Sequence, residues 1–469
     1  MRTWSRQPNH RALLCALVAG LVLLGSCASY ALRFDGVRQA VESADLDGAY
    51  EGIDRLVRRA EDGRRPERFD LPLLLLERAS IAQALGWHEQ AVADLNAADQ
   101  MMEVLDLTPQ GMAAAAGYLF SDDLSLYRPP VYEKLLINLM AMASYLHLGN
   151  FSAAMVEARR TRILLDYFRT TEVAEHPMLA TAHYLAGLTH ELTGDLDAAL
   201  LFYTDAWQIR PVPGLAESMV RLRGRRAGTL DRFVDEAMAS LGLRPDQVRP
   251  APAEELVIIV FSGLGPRRVP EYLPVGAVFA MMADDGQAHL SAEQQRQYNE
   301  LIVKGLLTWV NYPVLTRFSN PLRGFTVRSA DQGEIAIPMV ADIEAFALQE
   351  WERVQGRIAW AAITRALTRI VAREATEGVA RAADLDSRLF PGASLLAGLI
   401  VQGAMQATDR PDTRNWTMMP AGVHVLRLPV TPGEHHIVLA GYGERFSVEG
   451  FHVTVPPNAR RVVTWRAIL

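Results

Sequence analysis

The chain is poor in cysteine and in lysine. Its 469 residues hold two cysteines, Cys15 and Cys27, and two lysines, Lys134 and Lys304; the other basic residues are arginine. No cysteine pair remains beyond Cys27, so no intramolecular disulfide can form there and stability must come from packing. Positive charge is also short: the formal net charge is −7, which makes the chain a poor general binder of nucleic acid. Several chemical signatures are missing as well. The sequence has no HExxH, no GxSxG, no P-loop and no CxxC, so the usual zinc-hydrolase, serine-hydrolase, nucleotide and dithiol motifs are excluded. What remains, half hydrophobic and 22% charged, is the composition of a globular chain long enough for two or three domains.

The beginning of the chain has a different character. Arg2, Arg6 and Arg11 precede an apolar run at 12–24, which is followed by Gly25, Ser26 and Cys27. A basic start, a short apolar stretch and small residues make a secretory signal peptide over 1–26, too short for a membrane span of about 20 residues. Leu24-Gly25-Ser26-Cys27 resembles the bacterial lipobox, in which the cysteine is diacylated on sulfur and becomes the acylated first residue of the mature protein. Cys27 is then a lipidation site rather than a catalytic thiol; the alternative is an ordinary signal peptide with an incidental cysteine. Each buried methylene contributes about 0.8 kcal/mol, and stable anchoring takes at least two chains. By the same resemblance, Ala28 in place of Asp points to the outer membrane, on its periplasmic side.

Residues 35–245 are rich in Ala, Leu, Glu and Arg at helical spacing. In 178–211 the residues Gly187, Gly194, Ala199, Tyr203, Ala206 and Pro211 follow the tetratricopeptide (TPR) spacing. Gly187 and Ala199 are small where two helices approach, Gly194 turns the chain, Tyr203 fills the groove and Pro211 ends the second helix. Partial copies run through Ala79, Gly86, Ala91, Leu95 and Ala98, and through Met142, Gly149, Ala154, Ala158 and Thr161. The predicted domain at 27–243 is a TPR-like α-solenoid, with insertions around 100–130; an unrelated α-bundle is the alternative. Such a solenoid offers a concave surface to a protein partner. The charge cluster Glu157–Arg162 fits either an acidic partner or, better, a solvated face with ion pairs between hairpins.

Residues 244–254 carry three prolines and are expected to be a linker. A domain at 255–469 follows, with a buried-strand run at 256–261 and a glycine turn at 262–266. That turn is not a nucleotide loop, because Pro266-Arg267-Arg268-Val269-Pro270 stands where a helix would begin. Strands are expected at 324–329, 334–340, 422–428, 435–439, 446–455 and 461–465, and helices at 341–383 and 392–407, with Pro432-Gly433-Glu434 as a hairpin-type turn. The expected class is α+β: an all-α solenoid, then a domain with a small sheet packed by two helices.

No cofactor, metal or catalytic residue is assigned. His435 and His436 are adjacent on a strand and point to opposite faces, so they do not readily share a metal. Arg365, Arg369 and Arg373 form a stripe that suits lipid phosphate, a polyanionic polymer or, better, solvent. Asp409, Asp412, Arg414 and Trp416 could form a site, or a buried ion pair with an aromatic anchor.

The segments 132–160, 257–270 and 412–439 together resemble a family of uncharacterised proteobacterial lipoproteins with a TPR-like N-terminal half. The resemblance implies envelope biogenesis, with periplasmic or envelope proteins as partners, including the peptidoglycan-synthesis machinery. Residues and resemblance lead to a non-enzymatic, lipid-anchored scaffold or adaptor. The rival is an envelope enzyme or wall-polymer binder acting through 255–469.

Overall fold

A computed structural model describes residues 30–64, 67–102, 129–170, 175–223, 231–247, 254–274, 309–329, 333–356 and 412–469, with a few single positions between them. Cys27, the Arg365/Arg369/Arg373 stripe, Asp409 and the apolar stretch 392–407 lie outside the described residues. The fold is α+β.

Hairpins of helices fill the first half. They are α1 (Tyr30–Glu42) with α2 (Leu46–Glu61), α3 (Glu67–Ala84) with α4 (His88–Met101), α5 (Val131–His147) with α6 (Phe151–Phe168), and α7 (Pro177–Leu192) with α8 (Leu196–Ile209); α9 (Leu215–Arg221) and α10 (Asp231–Ser240) follow. Each of the first four turns has one residue in the left-handed region: Ala44, Gly86, Gly149 and Gly194. Its N–H and the next one bond back into the preceding helix, as in Asp195 N–H to the His190 carbonyl (2.9 Å) and Asp45 N–H to the Ala40 carbonyl (2.9 Å). This is the Schellman closure that satisfies a helix's last carbonyls. The α1–α2 hairpin goes beyond the three repeats found in the sequence, because alanine stands at its turn where the others have glycine.

The register after each turn is constant. Ala49, Ala91, Ala154 and Ala199 sit at one equivalent position, and Ile53, Leu95, Ala158 and Tyr203 at another, all fully buried. A Cβ on Gly187 would lie 2.6 Å from the Tyr203 ring, so glycine there lets α7 lie against α8. Ala206 is buried in α8 and Pro211 follows its end.

The second half contains two four-stranded sheets and a ribbon, more β structure than the small sheet expected. The first sheet has the order β10 (Arg460–Ala467), β1 (Glu255–Ser262), β7 (Gly422–Pro429), β6 (Met339–Asp342). The second has the order β5 (Gly333–Ile337), β4 (Leu322–Ser329), β8 (Gly433–Gly443), β9 (Phe446–Val455). The ribbon pairs β2 (Arg267–Pro274) with β3 (Trp309–Thr316). β2 begins directly after the glycine turn at 262–266, where a nucleotide loop would have continued into a helix. Pro432-Gly433-Glu434 does not close a hairpin: β7 pairs with β1 and β6, while β8 pairs with β4 and β9. Residues 343–356 are helical; the rest of the helix expected to 383 lies almost wholly outside the described residues.

The layers stack as helices, first sheet, second sheet. On β1, Val257, Ile259 and Phe261 join the core shared with the hairpins, while Leu256, Ile258 and Val260 join the core between the sheets. Burial on both faces explains why 256–261 is an unbroken apolar run instead of an alternating one. α3 and α5 pack on β10, and α7 packs on β6. The hairpins and the first sheet therefore share one apolar core, despite the proline-rich stretch between them in the chain.

Candidate functional site

The densest polar chemistry among the described residues lies along the seam between hairpins and sheets. The first helices of the later hairpins, α3, α5 and α7, are covered there on most sides: in α7 every residue from Met178 to Glu191 is buried. A helix buried all round normally lacks charge. Here several charges remain: Arg78 pairs with Asp54 and Asp94 and Lys134 with Asp99 inside the helical half, while Asp70, Glu77 and Glu191 meet partners from the β half.

At one end Arg427 of β7 donates to both oxygens of Glu191 (2.8 Å each) and, through Nε, to Glu255 of β1 (2.9 Å). Arg460 also reaches Glu191 (3.1 Å), Arg221 reaches Glu255 (2.7 Å), and the Tyr203 hydroxyl donates to Glu191 (2.7 Å). Burial alone would raise Glu191, yet Arg427, with Tyr203 and Arg460 behind it, brings the carboxyl down to about 2. Burial likewise opposes the charge of Glu255, and Arg427 and Arg221 hold it below its ordinary range. Such pairs tolerate burial only because hydrogen bonds satisfy them on several sides.

In the middle, Glu77 of α3 accepts the backbone N–H of Thr417 and of Met418 (2.7 Å each) and the Tyr30 hydroxyl (3.1 Å). Burial pushes its carboxyl up to about 8 against these hydrogen bonds. Beside it the Trp416 indole N–H donates to Ser80 Oγ (3.0 Å), and the ring is fully buried. Arg414 donates to Asp412 (2.9 Å) and to Asp70 of α3 (3.3 Å), and Asp70 also pairs with Arg33. Burial raises Asp70 to about 6, with both arginines pulling the other way. Asp412, Arg414 and Trp416 thus come together as an ion pair and aromatic anchor. They anchor to the hairpins, not to a helix of their own half.

Next to this anchor Arg466 of β10 is wholly buried and donates to the carbonyls of Gly263 (2.6 Å), Met418 (2.9 Å), Phe261 and Ala467 (3.2 Å each). Burial brings it down to about 9, with Glu77 opposing. Further along, Thr464 N–H donates to His147 Nδ1 (3.0 Å), and the His147 ring stacks on His88 at 3.9 Å. Burial, and then His147, push His88 down to about 3.

The other sequence candidates are placed as follows. Glu157 is buried, and its carboxyl is raised to about 7 by burial, with Arg160 opposing. Arg160 meets Asp99, and Arg162 meets Asp166 and Asp205, so this cluster makes ion pairs within and between hairpins. His435 contacts the Thr431 carbonyl (2.7 Å), and His436 on the opposite face lies 4.6 Å, ring to ring, from His452. Among the described residues no three His, Cys, Asp or Glu side chains are placed to hold a metal ion. Ser262 Oγ and His424 Nε2 lie 3.0 Å apart, but both are buried, and burial pushes His424 down to about 4. That pair links β1 and β7 inside the first sheet. The sequence reading missed Glu77, Glu191, Glu255 and Arg427; the clearest signals are Glu77 directly after the apolar run 73–76 and Arg427 between Leu426 and Leu428.

No family model and no curated protein matches the chain. Among solved structures, a crystal structure of MamA aligns over 44% of this chain and 94% of that chain, with 16% identity and a TM-score of 0.29. An overlap of that size carries no argument about function.

Proposed function

We propose that this chain is a non-enzymatic protein-interaction scaffold, held by lipid on Cys27 to the periplasmic side of an outer membrane, that serves cell-envelope biogenesis. The lipobox-like Leu24-Gly25-Ser26-Cys27 and the resemblance to TPR-bearing lipoproteins support the location. The observation that carries the scaffold reading is the way the hairpins are used. The first helices of three of them, α3, α5 and α7, are occupied by the chain's own sheets, so a partner docks on the second helices and the turn edges. α6 presents Val156 (43% exposed), Arg159 and Ile163 (58% exposed) outward, the mix of apolar and arginine side chains common at interfaces. Periplasmic proteins, including those of peptidoglycan synthesis, are the proposed partners.

The test is crosslinking in intact cells, with capture and mass spectrometry of the full chain. A defined envelope partner is expected with the wild type, reduced in Val156→Asp/Ile163→Asp and in a Cys27→Ala form carrying an ordinary cleavage site. Undiminished capture by the double variant would remove α6 as the docking face. Because the two halves share a core, binding to wall polymer has to be assayed on the whole chain; sedimentation of that chain with purified sacculi, without any protein partner, would favour the rival reading.

A further inference from the structure

We propose that the turn edge of the first three hairpins carries a binding notch for a neutral saccharide, with Trp87 as its stacking platform. This goes beyond the scaffold reading and does not depend on it.

One of the four hairpins breaks the capping pattern of the others. After the left-handed turn residue, three of the four hairpins place Asp45, Asn150 or Asp195, and each side chain accepts the backbone N–H three residues on. These residue types are strongly preferred at that position because they satisfy an otherwise orphaned donor. The α3–α4 hairpin places Trp87 there, and its side chain makes no capping bond. Trp87 is not compensating by filling the core, since it remains 46% exposed. A large aromatic at a capping position, left half in solvent, departs from the local rule in the way functional positions do.

The departure lines a cavity. Trp87 and Tyr50 meet edge to face, with centroids 4.8 Å apart and planes at 80°. They wall a cavity of about 550 Å³ whose lining includes Gly86, Glu89, Gln90 and Leu148. Three hairpins contribute to it: Tyr50 comes from α2, Trp87 to Gln90 from the start of α4, and Leu148 from the turn after α5. Gly86 has no side chain to block its floor.

Charge narrows the ligand. An anion would face the Glu89 carboxylate on an acidic chain. A cation would face the positive end of α4, where the Gln90 N–H lacks the side-chain acceptor its counterparts have. His88 adds no positive charge, because burial keeps it neutral. A neutral polyhydroxylated ring fits both conditions. Its hydroxyls donate to Glu89 and accept from the Gln90 backbone N–H, the Gln90 side-chain amide being held by Asp94 (3.0 Å), and its slightly positive C–H face lies on the negative face of an aromatic ring. The volume falls in the range of small-molecule sites.

The experiment uses the protein with 5-fluorotryptophan at its tryptophans, the Trp87 fluorine resonance being identified by its loss in Trp87→Phe. Methyl α-D-glucopyranoside, N-acetylglucosamine and maltose are titrated, with tetramethylammonium and acetate as charged controls. At least one saccharide is expected to shift the Trp87 resonance saturably while neither control does. Ligand-observed saturation transfer should then show binding at least tenfold weaker in Trp87→Asp. That variant restores the cap of the other hairpins, so its melting temperature should be unchanged or higher. The proposal is overturned if no saccharide moves the resonance, if only a charged control does, or if Trp87→Asp binds as well as the wild type. It is also overturned if Trp87→Asp melts markedly lower, which would make the indole a packing residue for Tyr50.

Discussion

Replacing Arg427 with methionine removes the cation shared by Glu191 and Glu255 while keeping most of the side chain's length. The structure sets the size of the effect. Glu191 is held at about 2 against an ordinary value near 4.5, and such a shift corresponds to about 3 kcal/mol. Breaking a buried pair by removing one partner typically costs about 3–5 kcal/mol. Arg460 and Arg221 stay with the two carboxylates, which places the expected loss at the lower end, about 3 kcal/mol at pH 7. The pH dependence is the sharper part. A carboxyl whose folded value is depressed contributes stability that is full above its unfolded value and lost as pH falls through the folded one. In the wild type that loss runs from about pH 4.5 down to about 2. In the variant, burial acts with less opposition, so both carboxyls take up protons at a higher pH than in the wild type and the under-compensated charge is relieved as pH falls. Urea denaturation followed by circular dichroism at pH 7 and pH 5 should show the variant's deficit shrinking at the lower pH. A deficit below about 1 kcal/mol at pH 7, or one as large at pH 5 as at pH 7, would refute the assignment of this network as the main ionic tie of the seam.

Ala44→Gly should stabilise the chain by about 0.5–1 kcal/mol, because the left-handed penalty it removes exceeds the entropy it adds. Gly194→Ala should destabilise by about 1 kcal/mol, and calorimetric melts that failed to show these opposite signs would contradict the shared turn geometry. Gly187→Ala should lose about 1–3 kcal/mol by overpacking against Tyr203, and Tyr203→Leu should recover part of it in a double-mutant cycle. Glu77→Gln should cost about 1–2 kcal/mol at pH 6, where it removes an acceptor from one buried N–H. Its cost should fall toward pH 9: the folded carboxyl is raised to about 8, so the wild type itself loses stability as pH rises from the unfolded value through that range. Hydrogen exchange at Thr417 and Met418 reports the same contact directly.

The hairpins were legible because their signals are local. A turn glycine and a buried alanine five residues on fall within one short window, and the same window recurs at Gly86, Gly149 and Gly194. The first hairpin escaped because Ala44 performs a glycine's role at a cost in backbone energy, which composition does not reveal. The strands after Gly422 were legible from alternation, but their pairing was not: β7 and β8 are neighbours in sequence and lie in different sheets. The seam was illegible for a related reason. Glu77 meets Thr417 and Met418, and Glu191 meets Arg427, across separations that no periodicity spans; the halves therefore looked independent when they share a core. Trp87 is an ordinary aromatic in the sequence; its exposure at a capping position is a property of the folded chain.

The placement of β10 has a consequence for how the chain is made. Thr464 holds Ala143 and His147 across separations of 321 and 317 residues, and Trp416 holds Ser80 across 336. A chain that emerges from its N-terminus completes every hairpin long before the strand that covers them exists. Until then the inner helices stand with their apolar surface bare and their glutamates unmatched. Closure of contacts at such distances is intrinsically slow, and a half-finished molecule with that surface exposed is prone to aggregate. The same tie that makes the finished protein one body makes the nascent chain dependent on protection until its last described strand has arrived.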